Sequence, residues 1–266
     1  FGNINNSNDS FRNLVKNAHH GTIQDSGLVW DNLVGFTNPN GTGWVDTNYN
    51  PATQGIKYTL NNAGFGLNIS KKDEIETNEY LFGAFSGTYY IGLKQGGSTI
   101  TYLPYINGIT QFNYSSIPFK TGFHSANRIN STTISAINQN LPKLTNTSNS
   151  ITAIPSGNVA LFCIRRIDGL ISNFYLGGLN CFYIGASLTD AEYVTLNNAI
   201  NEYLIACLFL KYGQDNWGVR MAKSYFYDLH GFEKYEAFEV YEFLKRHQSD
   251  YVDNSGTGYY YNTFGP

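Results

Sequence analysis

Charge is scarce in this chain and never gathers into a long run of one sign. Only 14% of the 266 residues are charged, the formal balance is −3 and the sequence pI is near 5.9. With no long basic run, the electrostatic footprint of a nucleic-acid binder is missing. Long apolar runs are missing as well. The longest candidate, residues 203–210, falls far short of the roughly 20 residues that span a bilayer, so no membrane insertion is expected. Cysteine is limited to Cys163, Cys181 and Cys207, which form neither a metal-ligand spacing nor an even disulfide set. Cys163 and Cys181 sit in apolar, strand-like runs, where a free thiol behaves as a small hydrophobe; both are expected to be buried and reduced. The chain opens on Phe1 without a signal-peptide pattern. It reads as a trimmed or internally started piece of a longer protein.

Asparagine and aromatic residues take the place of charge. Asn is about one residue in eight, and there are 21 Tyr and 18 Phe. That mix favours many short strands joined by Asn/Gly turns under a neutral, hydrogen-bonding surface. The 42% of apolar residues is enough to fill a sizeable core.

Residues 1–24 are polar and Asn-rich, an arm or linker with a short helical possibility over 10–18. Strands are expected around 43–47, in two short runs within 58–69, and over 80–85, 88–94, 99–105, 133–138, 159–166 and 174–184. Turn signals recur at the spacing of a sandwich. The pair Gly177-Gly178 permits a tight bend or bulge before Cys181. The strand ending at Ile184 runs into a helix: Thr189 caps it, Glu192 completes a capping box, and Leu196, Ala199, Ile200 and Tyr203 share one face. Beyond residue 206 a further helix is expected over 233–251. Its stripe of Phe238, Tyr241 (or Val240), Leu244 and His247 suits packing or an interface.

Four blocks carry a resemblance. Asn180 to Ala206, NCFYIGASLTDAEYVTLNNAINEYLIA, resembles the closing strand and helix of concanavalin A-like (laminin G-like) modules. Gly35-Phe36-Thr37 with Gly41 to Pro51 is similar to the opening segment of that family. Asn127 to Thr133 resembles the lead-in to a later strand, and Pro155 to Leu161 a run that follows a family loop. The blocks stand in family order over about residues 28–206. The resemblance implies a mostly β, two-sheet antiparallel jelly-roll sandwich at 25–206, with a short helix after the last strand. Residues 207–266 exceed the usual module and form a helical C-terminal appendage for docking or oligomerisation.

The chemistry on offer is sparse. Glu74, Glu76 and Glu79 are spaced like the E-x-D-x-x-E signature of laminarinase-type glycoside hydrolases, with Glu for the central Asp. On a bulged strand two such carboxylates serve as nucleophile and acid/base about 5 Å apart. Against this, the segment follows Ser70-Lys71-Lys72-Asp73, and 70–79 reads as a solvated, mixed-charge loop. Asp46, Asn48 and Asn50 alternate as calcium ligands do, and equally suit a strand end with an Asx turn. The histidines form no metal or triad pattern, and no glycine pair opens a phosphate-binding helix. Sugar recognition needs aromatic faces and amides, and Tyr89, Tyr90, Tyr102, Tyr105 and Asn107 are the candidates.

The expectation is therefore a non-enzymatic virion protein without cofactor or metal: a bacteriophage tail fibre, appendage or capsid decoration. It would attach to surface glycans and dock other virion proteins through residues 207–266, as a homo-oligomer with a trimer favoured by analogy. A polysaccharide-degrading enzyme and a secreted bacterial adhesin are the alternatives.

Overall fold

The computed structural model describes residues 20–31, 35–71, 78–96, 101–108, 114–118, 121–138, 143–147 and 153–212. The expected helices over 10–18 and 233–251, and the glutamates Glu74 and Glu76, lie outside the described residues. The chain divides into two units, Phe1–Ile200 and Asn201–Pro266.

The first stretch carries β1 (Thr22–Ile23), β2 (Val29–Asp31), β3 (Gly35–Thr37) and β4 (Val45–Asp46), then the one-turn helix α1 (Pro51–Gln54). Longer strands follow: β5 (Ala63–Lys71), β6 (Glu79–Ser86), β7 (Tyr89–Gly96), β8 (Thr101–Gly108), β9 (Tyr114–Pro118) and β10 (Gly122–Arg128). After them come β11 (Ile134–Asn138), β12 (Leu144–Asn146), β13 (Ala160–Leu161), β14 (Ile164–Arg166) and β15 (Ile171–Ser172). The series closes with β16 (Gly178–Gly185) and α2 (Asp190–Tyr212).

Among the described residues these strands form two sheets. The larger runs β1-β4-β13-β6-β7-β8-β9, with β14 and β15 attached beside β6; the smaller runs β12-β11-β10-β5-β16-β3-β2. Pairing between these strands is antiparallel except where β14 runs parallel to β6, and Tyr80 of β6 also makes a parallel bridge to Phe174. The chain is thus a mostly β, two-sheet sandwich with a helix after its last strand.

Strand β5 shows why the sheets face each other. Its alternation puts Phe65, Leu67 and Ile69 on one side, all fully buried, as period-2 geometry requires. Phe65 meets Phe82 of the opposite sheet edge-on at 4.6 Å, and Phe82 meets Phe182 at 5.0 Å. Each such ring contributes about 2–3 kcal/mol by leaving water. At one end of the core the layers are joined by polar groups. The buried Arg128 of β10 donates from Nε to Ile106 O of β8 at 2.9 Å and from Nη1 to Ser131 O at 3.2 Å. Burial pushes its guanidinium down to about 10, so it keeps its charge at neutral pH. Beside it Tyr58 donates to Asn107 Oδ1 at 2.6 Å, and Asn107 donates to Thr59 O and Leu60 O.

On the other face of the smaller sheet, Phe123 is covered by the first turns of α2. Tyr193 stacks on Phe123 at 5.4 Å and donates to Phe123 O. The glycines of β5 make room for rings there, since a Cβ on Gly66 would come within 2.6 Å of the Phe123 ring. Also on this face are Asn68 and Ser70, whose buried polar atoms have no hydrogen-bond partner among the described residues. The helix starts as expected. Glu192 N donates to Thr189 Oγ1 at 3.2 Å, and Thr189 N donates to Glu192 Oε2 at 2.8 Å. Its inward face differs from the expected one. Tyr193, Asn197 and Ile200 are buried, whereas Ala199 and Tyr203 are exposed. The inward positions are spaced four and three residues apart and include a polar Asn, so an apolar-only count found Ile200 and the half-buried Leu196 but missed Tyr193 and Asn197.

Two expected strands are broken. The run 159–166 splits at Phe162, whose φ of +68° turns the chain between β13 and β14; its N–H donates to Leu81 O, and its carbonyl accepts from Tyr175 N. The run 174–184 splits at the glycine pair, and register shifts follow between Gly178 and Cys181, at the expected bulge. Of the 58–69 region only β5 is strand; Tyr58 is buried outside any strand.

Removing the Tyr58 hydroxyl leaves Asn107 Oδ1 buried without its phenol donor. Tyr58→Phe is expected to lower stability by about 1–3 kcal/mol, read from urea unfolding. The two Thr189 hydrogen bonds hold the Glu192 carboxyl below its ordinary value of 4.5. A depressed folded pKa means stability that is present above the unfolded value and lost as pH falls through the folded one. Glu192→Gln is therefore expected to reduce the loss of stability on acidification below that ordinary value, read from unfolding curves across the acid range.

Candidate functional site

The outer face of the larger sheet carries the candidate site. A register shift in β6 between Tyr80 and Phe82 sends both Leu81 and Phe82 into the core and leaves Tyr80 on the outside. A transverse row then crosses five strands: Asp46 of β4, Ala160, Gly83, Gly92 and Tyr105 of β8 are successive partners. The middle of this row has almost no side chain. Tyr80 and Ile164 lie against it, their atoms within 3.5 Å of where a Cβ on Gly83 would stand.

Over this shallow floor the aromatic rings form a ladder. Phe85 stacks on Tyr90 at 4.2 Å and 19°, Tyr90 meets Tyr105 at 5.1 Å, and Tyr105 meets Tyr80 at 6.2 Å. Lys94 closes it, with Nζ 5.9 Å from the Tyr80 ring centre. Phe85, Tyr90 and Lys94 are half-buried, so their edges reach solvent; Tyr80 and Tyr105 are buried beneath. Burial, aided by the neighbouring phenols, pushes Tyr80 well above the ordinary tyrosine value, and Tyr80 and Tyr105 are hydrogen-bonded to each other. Burial raises Tyr105 too. Both therefore stay neutral phenols. Desolvation lowers the Lys94 ammonium from its ordinary value.

Beyond Ala160 lies a second group. Asp46 Oδ2 accepts from Arg165 Nη1, and Asn158 Nδ2 donates to Asp46 Oδ1 at 3.0 Å. The Arg165 guanidinium lies 5.6 Å from the centre of the Trp44 ring. Asp46 Oδ1 also accepts from Asn48 N at 2.8 Å, the Asx turn that the alternation allowed. Asn48 Nδ2 donates to His20 O and Thr22 Oγ1, and Asn50 Oδ1 caps α1 through Ala52 N. Asp46 is thus engaged by Arg165, Asn158 and the turn at Asn48, the Asn48 amide donates towards β1, and Asn50 caps α1.

Of the sugar candidates, Tyr90 and Tyr105 are brought together. Tyr89 pairs with Ser86, one residue along from Tyr90 and so on the opposite face. Asn107 is buried at φ +55°, and its amide is committed to the Tyr58 loop. Tyr102 is placed by its backbone in β8 opposite Gln95. Glu79 is the first residue of β6, not part of a loop; its carboxylate is buried and accepts from Leu176 N at 3.5 Å. Cys163 is buried, with its thiol pushed above the ordinary range, and Cys181 is free and half-buried. Sequence reasoning missed Tyr80, Phe85, Lys94, Trp44 and Arg165. The alternation Tyr90-x-Gly92-x-Lys94 was legible, but the β6 register shift that aligns Tyr80 with it was not.

The Asp46 to Arg165 pair is partly shielded, with side chains 10% and 27% exposed. Asp46→Ala is expected to destabilise the fold by about 2 kcal/mol, between the values of surface and buried pairs, as read by urea unfolding.

No family model matches this sequence, and no curated protein does. Among solved structures, domain 4 of AbnA, a GH43 extracellular arabinanase from Geobacillus stearothermophilus in complex with arabinotriose, is similar at a TM-score of 0.51 and 15% identity, over 72% of this chain and 94% of that one. The botulinum neurotoxin serotype D binding domain follows at 0.49 and 10%, over 69% of this chain and 48% of that one. The enzymatically active domain of bacteriophage CBA120 tailspike protein 2 gives 0.39 and 13%, over 66% and 29%. What this chain shares with the arabinanase domain is its β-sandwich fold.

Proposed function

We propose that this chain is a non-enzymatic, concanavalin A-like glycan-attachment module of a bacteriophage virion, in a tail fibre, an appendage or a capsid decoration. The observation that carries the glycan reading is the ladder of Phe85, Tyr90, Tyr105 and Tyr80 on an otherwise low-relief sheet face. Sugar rings present flat C–H surfaces that stack on aromatic faces, while phenols and a nearby amine bond their hydroxyls. In the arabinanase domain of the same fold the bound molecule is an oligosaccharide, arabinotriose. The virion reading rests on the four family-like blocks and the neutral, Asn-rich composition. Residues 207–266 are assigned docking to other virion proteins, within a homo-oligomer for which a trimer is favoured. Binding is preferred to hydrolysis because Glu79 is buried against Leu176, out of reach of a substrate on the sheet face.

A glycan array on the purified chain, with reducing-end assay of any bound polysaccharide, tests this. The expected result is binding without turnover, weakened about tenfold or more in Tyr90→Ala while the thermal melt stays cooperative. Turnover would replace the attachment reading with an enzymatic one.

A further inference from the structure

Resting on that glycan reading, we infer that the site selects saccharides bearing a negative charge, held by the ammonium of Lys94 at the end of the aromatic ladder. The two guanidinium groups beside this face have carboxylate partners. Arg165 is neutralised by Asp46, and Arg166 by Asp168 at 3.0 Å. Lys94 has no carboxylate partner among the described residues; what it meets is the face of Tyr80. Its neighbours across the strands are Tyr80 on β6 and Leu103 on β8, neither of them acidic. The nearest acid along β6, Glu79, pairs with Gln95 one residue further on and is buried on the opposite face. A half-desolvated cation without a carboxylate partner among the described residues makes a strong, charge-assisted hydrogen bond to any anion that reaches it.

Distance adds to the case. Tyr90 and Lys94 lie on the same face of β7, four residues apart, which is about 14 Å. An oligosaccharide stacked on Phe85 and Tyr90 and running along β7 brings a distal unit to the ammonium. That unit would carry a carboxylate, as in a uronic acid, or a phosphate. The shared chemistry is an anion on a sugar, displayed at one end of a stacked chain.

The test uses calorimetric titration of the full chain with three probes: trigalacturonic acid, neutral galactotriose and a 6-phosphorylated mannotriose. At least one charged probe is expected to bind about tenfold more tightly than the neutral one, a difference of about 1.4 kcal/mol. Lys94→Gln is expected to abolish that preference, Lys94→Arg to retain it, and the exposed-site control Lys57→Gln to leave it intact. The better charged probe tells carboxylate from phosphate. Equal binding of all three probes by the unmodified chain, or a preference that survives Lys94→Gln, would overturn the charge selectivity and leave glycan attachment standing. Binding of none of the probes, together with an empty glycan array, would overturn the attachment reading as well.

Discussion

The register shift between Tyr80 and Phe82 governs how this sandwich divides its aromatic residues. A regular strand would place residues 80, 82, 84 and 86 on one face. The shift puts Leu81 and Phe82 together in the core, where Phe82 bridges Phe65 and Phe182, and turns Tyr80 outward. Once outside, that ring needs a floor without side chains, which Gly83 and Gly92 supply. Gly92 is fixed by the backbone of β6 as well, because a Cβ there would stand 2.7 Å from Phe82 O. The core and the outer face are therefore set by the same few residues of β6 and β7, and a change to one is felt by the other.

The two outer faces have opposite fates. On the smaller sheet, α2 covers Phe123 through Tyr193 and is held at its start by Leu188 N donating to Asn127 Oδ1 at 2.7 Å. On the larger sheet the aromatic rings keep edges in solvent. The sandwich thus has a directional surface, with Phe123 covered on one side and aromatic edges left in solvent on the other. The clamp of Arg128, Ile106 O and the Tyr58–Asn107 pair fixes β8 against β10 at one end of the core, and so fixes Tyr105, two residues before Asn107.

Local signals were the legible part of the sequence. The Thr189–Glu192 box and the irregularity after Gly177-Gly178 depend on neighbours along the chain, and both are present. Strand β10 was not foreseen because its alternation is inverted. His124 and Arg128 share a face with core-facing Ala126, while Phe123 lies outside under α2. Hydropathy cannot reveal a strand whose charged residue is inside. The break at Phe162 was hidden for a similar reason: a bulky residue at positive φ has no sequence signature, and only its hydrogen bonds to Leu81 and Tyr175 explain it. Within the site, composition pointed to tyrosines in general. Choosing Tyr90 and Tyr105 over Tyr89 required knowing the register.

The smaller sheet resists opening unevenly. The first turns of α2 meet it through the Tyr193 ring on Phe123 and the Tyr193 hydroxyl on Phe123 O. Strand β5 is instead bonded along its length to both β10 and β16. In hydrogen–deuterium exchange the amides of residues 193–200 would therefore exchange through a sub-global opening, well before those of β5, which wait for the whole sandwich to come apart.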